Sequence, residues 1–150
     1  MRKMIGMILT MSLFFVSVSL AADRGTPAEA EAFVKKAISF IQANGKDKAF
    51  AEFTNLKGQF IDRDLYIMVY DMNGVCLAHG QNRKMVGKDL SDLTDSDNKP
   101  FIRERITIAK TKGKGWQNYK FSNPLTKKIE EKTVYFEKYE DFIVASGAYK

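Results

Sequence analysis

The sequence carries one histidine, His79, and a lone cysteine, Cys76, and these two bound the catalysis it could support. A Ser-His-Asp or Cys-His arrangement would have to use His79, yet Cys76 lies three residues earlier on what reads as the same strand. Alternation along a regular strand sends the two to opposite faces, which argues against a nucleophile and a base in contact. One histidine and one cysteine make no clustered metal-ligand set, and Asp92, Asp95 and Asp97 lack the rest of a calcium loop. Gly113-Lys114-Gly115 and Gly87-Lys88 lack the spacing and the following helix of a phosphate loop, so both read as turns. No enzymatic activity, catalytic residue, metal or cofactor is expected.

Binding is better served. Tyr66, Tyr70, His79, Tyr119 with Phe121 or else Trp116, and Lys132 or Tyr135 are aromatic, hydroxyl and cationic side chains that strands could gather around one cavity. The alternatives arise because residues three apart on a regular strand face opposite ways. Phenol O–H, imidazole N–H and ammonium are all donors, while ring faces exclude water from a short carbon chain, so the set suits a small anion and above all a carboxylate. Each member also has a plainer reading: a satisfied aromatic core for the tyrosines, a loop-end histidine bonded to backbone for His79, a solvated strand face for Lys132.

The elements that must position these groups are legible in turn. Thr26-Pro27-Ala28-Glu29 combines a hydroxyl N-cap, proline at the first helical position and a capping-box glutamate. Phe33, Val34, Ala37, Ile38 and Ile41 then fall on one helical stripe, and Asn44-Gly45 supplies a left-handed stop. A second short helix is expected over 46–55, with Phe50 and Phe53 inward, and a connector over 56–61. From 64 to 71 the period becomes two, with Leu65, Ile67 and Val69 on one face and Tyr66, Met68 and Tyr70 on the other. The aliphatic face suits a helix and the phenol face a pocket. Asp71-Met72-Asn73-Gly74 turns the chain into a second strand at 75–78.

Residues 79–99 read as a long polar loop with at most a turn of helix, and loops of about 20 residues are commonly functional walls or lids. A helix is expected from 97–100 to Lys110, ended by Gly113 and Gly115. Strands at about 115–121, 129–138 and 141–149 follow, joined by turns at 122–126 and 139–140. The order implies one α+β domain with a five-stranded antiparallel sheet.

The chain has 150 residues, 45% apolar and 28% charged, with formal net charge +6. Such a composition excludes disorder, and a lone cysteine excludes a disulfide scaffold. Arg2-Lys3, the uncharged run from Met4 to Leu20 and the small residues Ser19 and Ala21 read as a signal peptide cut after Ala21, leaving one domain at 22–150. Loss of Arg2 and Lys3 brings the net charge to +4. The lysines are dispersed among acids, so no nucleic-acid partner is expected. The cleaved chain is expected to be periplasmic or secreted and not membrane-spanning.

The run from Asp64 to His79, then Val86-Gly87-Lys88-Asp89-Leu90, then 115–119 with Asn123-Pro124 and Lys132, and finally Ser146-Gly147-Ala148-Tyr149 resembles the single Cache domain, type two, an extracytoplasmic sensing module of bacterial chemoreceptors and kinases. The resemblance spans about 26–150. It implies a PAS-like five-stranded antiparallel sheet with a long N-terminal helix packed on one face and a ligand pocket on the other. It implies further a small organic ligand, often a short carboxylate such as acetate, propionate, pyruvate or lactate. Tyr66, His79 and Lys132 occupy recurrent family positions and are expected as donors, with Met68, Tyr70, Trp116 and Tyr119 as walls. The sequence departs from the pattern at Gly80, where proline is common after the histidine, at Met68 between the two tyrosines, and at Phe121 before Asn-Pro.

Because Lys150 directly follows the last expected strand, signal transduction, as in chemotaxis, is expected to pass through a membrane receptor or histidine kinase. A homodimer is left open. A cystatin-like or other protein-interaction module is the alternative, since cystatins also join one helix to an antiparallel sheet; the polar tip at 71–74 lacks an inhibitory wedge.

Overall fold

The computed structural model describes residues 23–150; the expected signal peptide and its cleavage site lie outside them. Helix α1 spans Pro27–Asn44, and its start is as the sequence specifies. Thr26 accepts from the Glu29 backbone while the Glu29 side chain accepts from the Thr26 backbone. Gly45 has the positive φ expected of a helix stop, 80°, but its ψ of 162° is extended rather than left-handed helical. The reason is that the chain passes straight into α2, Lys46–Phe53, with Gly45 serving both ends. Phe33, Val34, Ala37 and Ile41 of α1 and Phe53 of α2 pack onto Leu65, Ile67, Val69 and Val144, joined by Phe60 from the connector.

The expected strand over 64–71 is broken. A small hairpin of β1, Ile61–Asp62, and β2, Leu65–Tyr66, turns at Arg63 with φ 56°; the main sheet begins only at β3, Met68–Asp71. β4 is Cys76–His79, followed by a short 3₁₀ turn at Arg83–Met85. Helix α3, Phe101–Lys112, starts without a side-chain cap at Pro100 and ends at Gly113, φ 75°. β5, Lys114–Ser122, β6, Ile129–Tyr139, and β7, Phe142–Tyr149, form the expected meander. The five strands lie in the order β4-β3-β7-β6-β5, all neighbours antiparallel. The fold is the α+β, PAS-like arrangement the sequence implies, with α1 and α2 on one face and α3 and the 80–99 loop on the other.

One local irregularity re-aims the histidine. Val69 pairs with Ala78 but Tyr70 pairs with Cys76, so Leu77 is an extra residue, a β-bulge. Cys76 therefore shares a face with Tyr70, and His79 shares the same face with Met68. The expectation that Cys76 and His79 lie on opposite faces assumed a regular strand and is corrected by the bulge. The loop after β4 folds back along that strand. The Cys76 backbone donates to Lys88, Gly87 donates to Cys76, and Leu90 donates to Gly74, so the edge of the sheet is covered.

Candidate functional site: an aromatic chamber with unpaired cations

The face of the sheet away from α1 carries Tyr66, Met68 and Tyr70 from β2 and β3, Tyr119 and Phe121 from β5, Lys132, Val134 and Phe136 from β6, and Tyr149 from β7. The strand register settles the alternatives left open by the sequence. Tyr119 pairs with Lys132, and their parity puts both with Tyr66; Trp116 pairs with Tyr135, and their parity is the opposite one. Trp116 and Tyr135 lie together on the helix face, ring centroids 5.0 Å apart, with Trp116 44% exposed. The Tyr135 hydroxyl donates to Glu137. The structure does not bring these two to the other six, because each lies an odd number of positions from the chamber-facing residues of its strand.

His79 is fixed by its own loop. Its Nδ1 accepts from the backbone N–H groups of Gln81 and Asn82, at 3.2 and 3.1 Å. A neutral imidazole whose Nδ1 accepts carries its proton on Nε2. Burial, reinforced by the Lys132 and Arg105 charges, pushes the imidazole down to about 3, so the ring is neutral at pH 7. Nε2–H is thus a donor, fully buried and without a partner among the described residues. The tyrosines show a parallel commitment. The Tyr149 hydroxyl donates to the Ser122 carbonyl at 2.7 Å, leaving the Tyr66 hydroxyl, 3.2 Å away, as the donor between the two.

Lys132 is wholly buried. Its Nζ sits 4.0 Å from the Tyr66 ring centroid and 4.8 Å from that of Tyr149, and it donates to no carboxylate or carbonyl among the described residues. Desolvation and the nearby Arg105 charge hold its ammonium well below the ordinary lysine range, opposed in part by Asp64. The space for its stem comes from Gly147 on the adjacent strand, where a Cβ would stand 2.9 Å from Lys132 Cε and 2.5 Å from a Val134 methyl. Gly80 serves similarly, since a Cβ there would approach the Tyr66 Cβ to 2.8 Å, and its N–H bonds the Ile67 carbonyl. A proline would lose that bond.

Arg105 was not a sequence candidate. Its guanidinium is buried over Tyr70, Phe101, Tyr119 and Phe136, at 5.5 to 6.0 Å from the ring centroids. Its Nε donates to Gln117 at 3.3 Å, but both terminal nitrogens lack partners among the described residues. The signal was present in the sequence: Phe101, Ile102, Ile106 and Ala109 form the apolar stripe of α3, and Arg105 lies in its middle. A cation at such a position is either paired or awaiting a partner.

An open cleft of about 270 Å³ leads to this chamber, lined by Tyr66, His79, Asn82, Met85, Phe121 and Lys127 among others. Of the three residues with buried, unpartnered donors, His79 lines this cleft. Leaving one buried donor unsatisfied costs about 1–3 kcal/mol, and here three side chains carry such atoms on one face. Nucleophilic chemistry has no support from Cys76. Burial pushes its thiol up to about 12, and the thiol faces the Ala78 carbonyl of its own strand.

Comparison with known proteins fits this architecture. A chemotaxis-protein structure from Vibrio parahaemolyticus RIMD 2210633, a methyl-accepting receptor, superposes with TM-score 0.71 at 23% identity, covering 81% of this chain and 86% of that one. A Cache chemosensory domain solved for its carboxylic acid recognition superposes with TM-score 0.69, also at 23% identity, over 81% of this chain and 91% of that one. In sequence, the sensor histidine kinase MctS of Rhizobium johnstonii is 34% identical over 90 residues, which are 58% of this chain and 19% of the kinase. The chain thus spans about a fifth of that relative's length. The sequence matches the profile of single Cache domain 2 over residues 15–150, and the chain belongs to that family.

Proposed function

We propose that this domain is an extracytoplasmic sensor of a short-chain carboxylate, of the acetate, propionate, pyruvate or lactate type, that passes its signal to a membrane receptor or histidine kinase. The observation that carries the reading is the set of buried donors without partners among the described residues, Lys132 Nζ, His79 Nε2 and the Arg105 guanidinium, of which His79 also lines the cleft. A carboxylate offers acceptors and negative charge together, and it satisfies what the protein leaves unsatisfied. Met68 and the aromatic rings then take the carbon chain. The carboxylic acid recognition of a solved relative with the same fold supports the chemistry, and the kinase context of MctS supports the partner.

On binding, the ammonium form of Lys132 gains a counter-charge in direct contact, where the free protein offers only the Asp64 charge without a bond. Its pKa rises, so binding takes up a proton wherever free Lys132 is neutral. The test is calorimetric titration of the protein with acetate, propionate, pyruvate and lactate, repeated on Lys132→Ala. The variant is expected to lose about 2 kcal/mol or more of binding, roughly thirtyfold in affinity. Unchanged affinity would remove Lys132 from the site, and absence of binding by all four would remove the reading.

A further inference from the structure

Two buried cations face one chamber, and their surroundings differ in kind. Lys132 can shed its proton and sit as a neutral amine among phenol rings. Arg105 cannot, because a guanidinium stays protonated in proteins. Its four aromatic neighbours offset part of the desolvation, and the Tyr70 hydroxyl lies near enough to feel its charge, but neither terminal nitrogen has a hydrogen-bond partner among the described residues. Gln117 occupies only Nε, and the fork of NH1 and NH2, the part shaped for a carboxylate, is left open.

Among the described residues neither Lys132 nor Arg105 makes an ion pair, although eleven pairs form elsewhere. The nearest buried acid, Asp64, already spends one oxygen on the Gly25 backbone. The two cations are also neighbours through one residue. Tyr119 pairs across the strands with Lys132, and its ring lies 5.5 Å from the Arg105 guanidinium. A single carboxylate that settles on Lys132 leaves the Arg105 guanidinium, which cannot shed its charge, buried without a counter-charge.

We infer that the chamber is built for a short dicarboxylate, with one carboxylate on the Arg105 fork and the other on Lys132 beside the His79 Nε2–H. The inference rests on the carboxylate reading above and adds the charge and the second anchor of the ligand. Arg105 fixes one end bidentately, and Lys132 completes the other by protonation. The carbon chain between them passes beside Tyr119, the residue next to both cations.

The test is calorimetric titration of the protein with propionate, malonate and succinate at neutral pH and one ionic strength. The better of the two diacids is expected to bind about tenfold or more tighter than propionate, the equivalent of about 1.4 kcal/mol. In Arg105→Met, which fills a similar volume without charge, that advantage of the diacid over propionate is expected to vanish. Comparing the three acids on the wild type needs no variant to fold, so the result stands even if Arg105→Met is unstable. Propionate binding as tightly as both diacids would overturn the inference and leave the carboxylate reading intact. Equal weakening of all three acids by Arg105→Met would do the same. If none of the three binds, both fail.

Discussion

The two faces of the sheet are buried to a similar degree and for opposite ends. On the helix face, Phe53, Phe60, Ile67, Val69 and Val144 are all fully buried, and Phe53 and Phe60 pack edge to face at 4.6 Å. Among the described residues no charged side chain is enclosed there, and the one buried polar atom without a partner is the small Ser146 hydroxyl. On the other face, equally buried side chains surround Lys132 Nζ, the terminal nitrogens of Arg105 and His79 Nε2, which lack partners among the described residues. The first face is arranged for the stability of the free protein and the second for a state that includes something else. A sheet with one face of each kind holds a binding site rigid without requiring the site itself to be at its energy minimum.

The contrast predicts where mutations will act. The largest stability effect is expected on the helix face: Phe60→Ala should lower unfolding free energy by about 3–5 kcal/mol, read by denaturant melting. Carboxylate affinity of the folded fraction should change little. A loss of binding larger than the loss of folded protein would show that the two faces are not separable.

Acid should act mainly on the other face. His79 titrates at about 3 in the fold and near 6.5 when unfolded. Between those values the unfolded chain holds the extra proton, so stability rises with pH and is lost as pH falls from about 6.5 toward 3, at up to about 1.4 kcal/mol per pH unit. His79→Gln should flatten that slope in melts taken from pH 7 to pH 4, and an unchanged slope would place the titrating group elsewhere. The smallest effect is expected in the loop at 80–99. Gln81, Asn82 and Met85 line the cleft, so saturating propionate should slow proteolysis of this loop; unaltered cleavage would mean the wall does not respond to ligand.

The sequence made the helix face plain because each of its signals is local. The capping box at Thr26 and Glu29, the stripe from Phe33 to Ile41 and the aliphatic alternation at Leu65, Ile67 and Val69 each read within a few residues, and all stand in the structure. The chamber face was legible in part. Tyr66, Met68, Tyr70, His79, Tyr119 and Lys132 do converge, whereas Trp116 and Tyr135 belong to the other side. Choosing between Lys132 and Tyr135 required the register of β5 against β6, which composition does not encode. The bulge at Leu77 carries no glycine or other marker, so the common face of Cys76 and His79 was invisible. Arg105 was overlooked for a different reason, since an arginine in a helix is ordinarily solvated and only its place within the apolar stripe gave it away.

An unpaired buried Lys132 should cost stability in the free protein, and a bound anion should restore it. Thermal melting of the wild type and Lys132→Met, each with and without propionate, succinate or malonate in large excess, tests this most directly. The methionine variant is expected to melt at or above the unliganded wild type, as replacement of an unpaired buried ionisable group by an apolar side chain of similar length allows. The best of the three acids is expected to raise the wild-type midpoint by several degrees, about 2.7 kcal/mol at a hundredfold excess over its dissociation constant, and to leave the variant where it was. A variant that melts well below the wild type yet shifts with the acid as fully would contradict the claim and make Lys132 a structural residue.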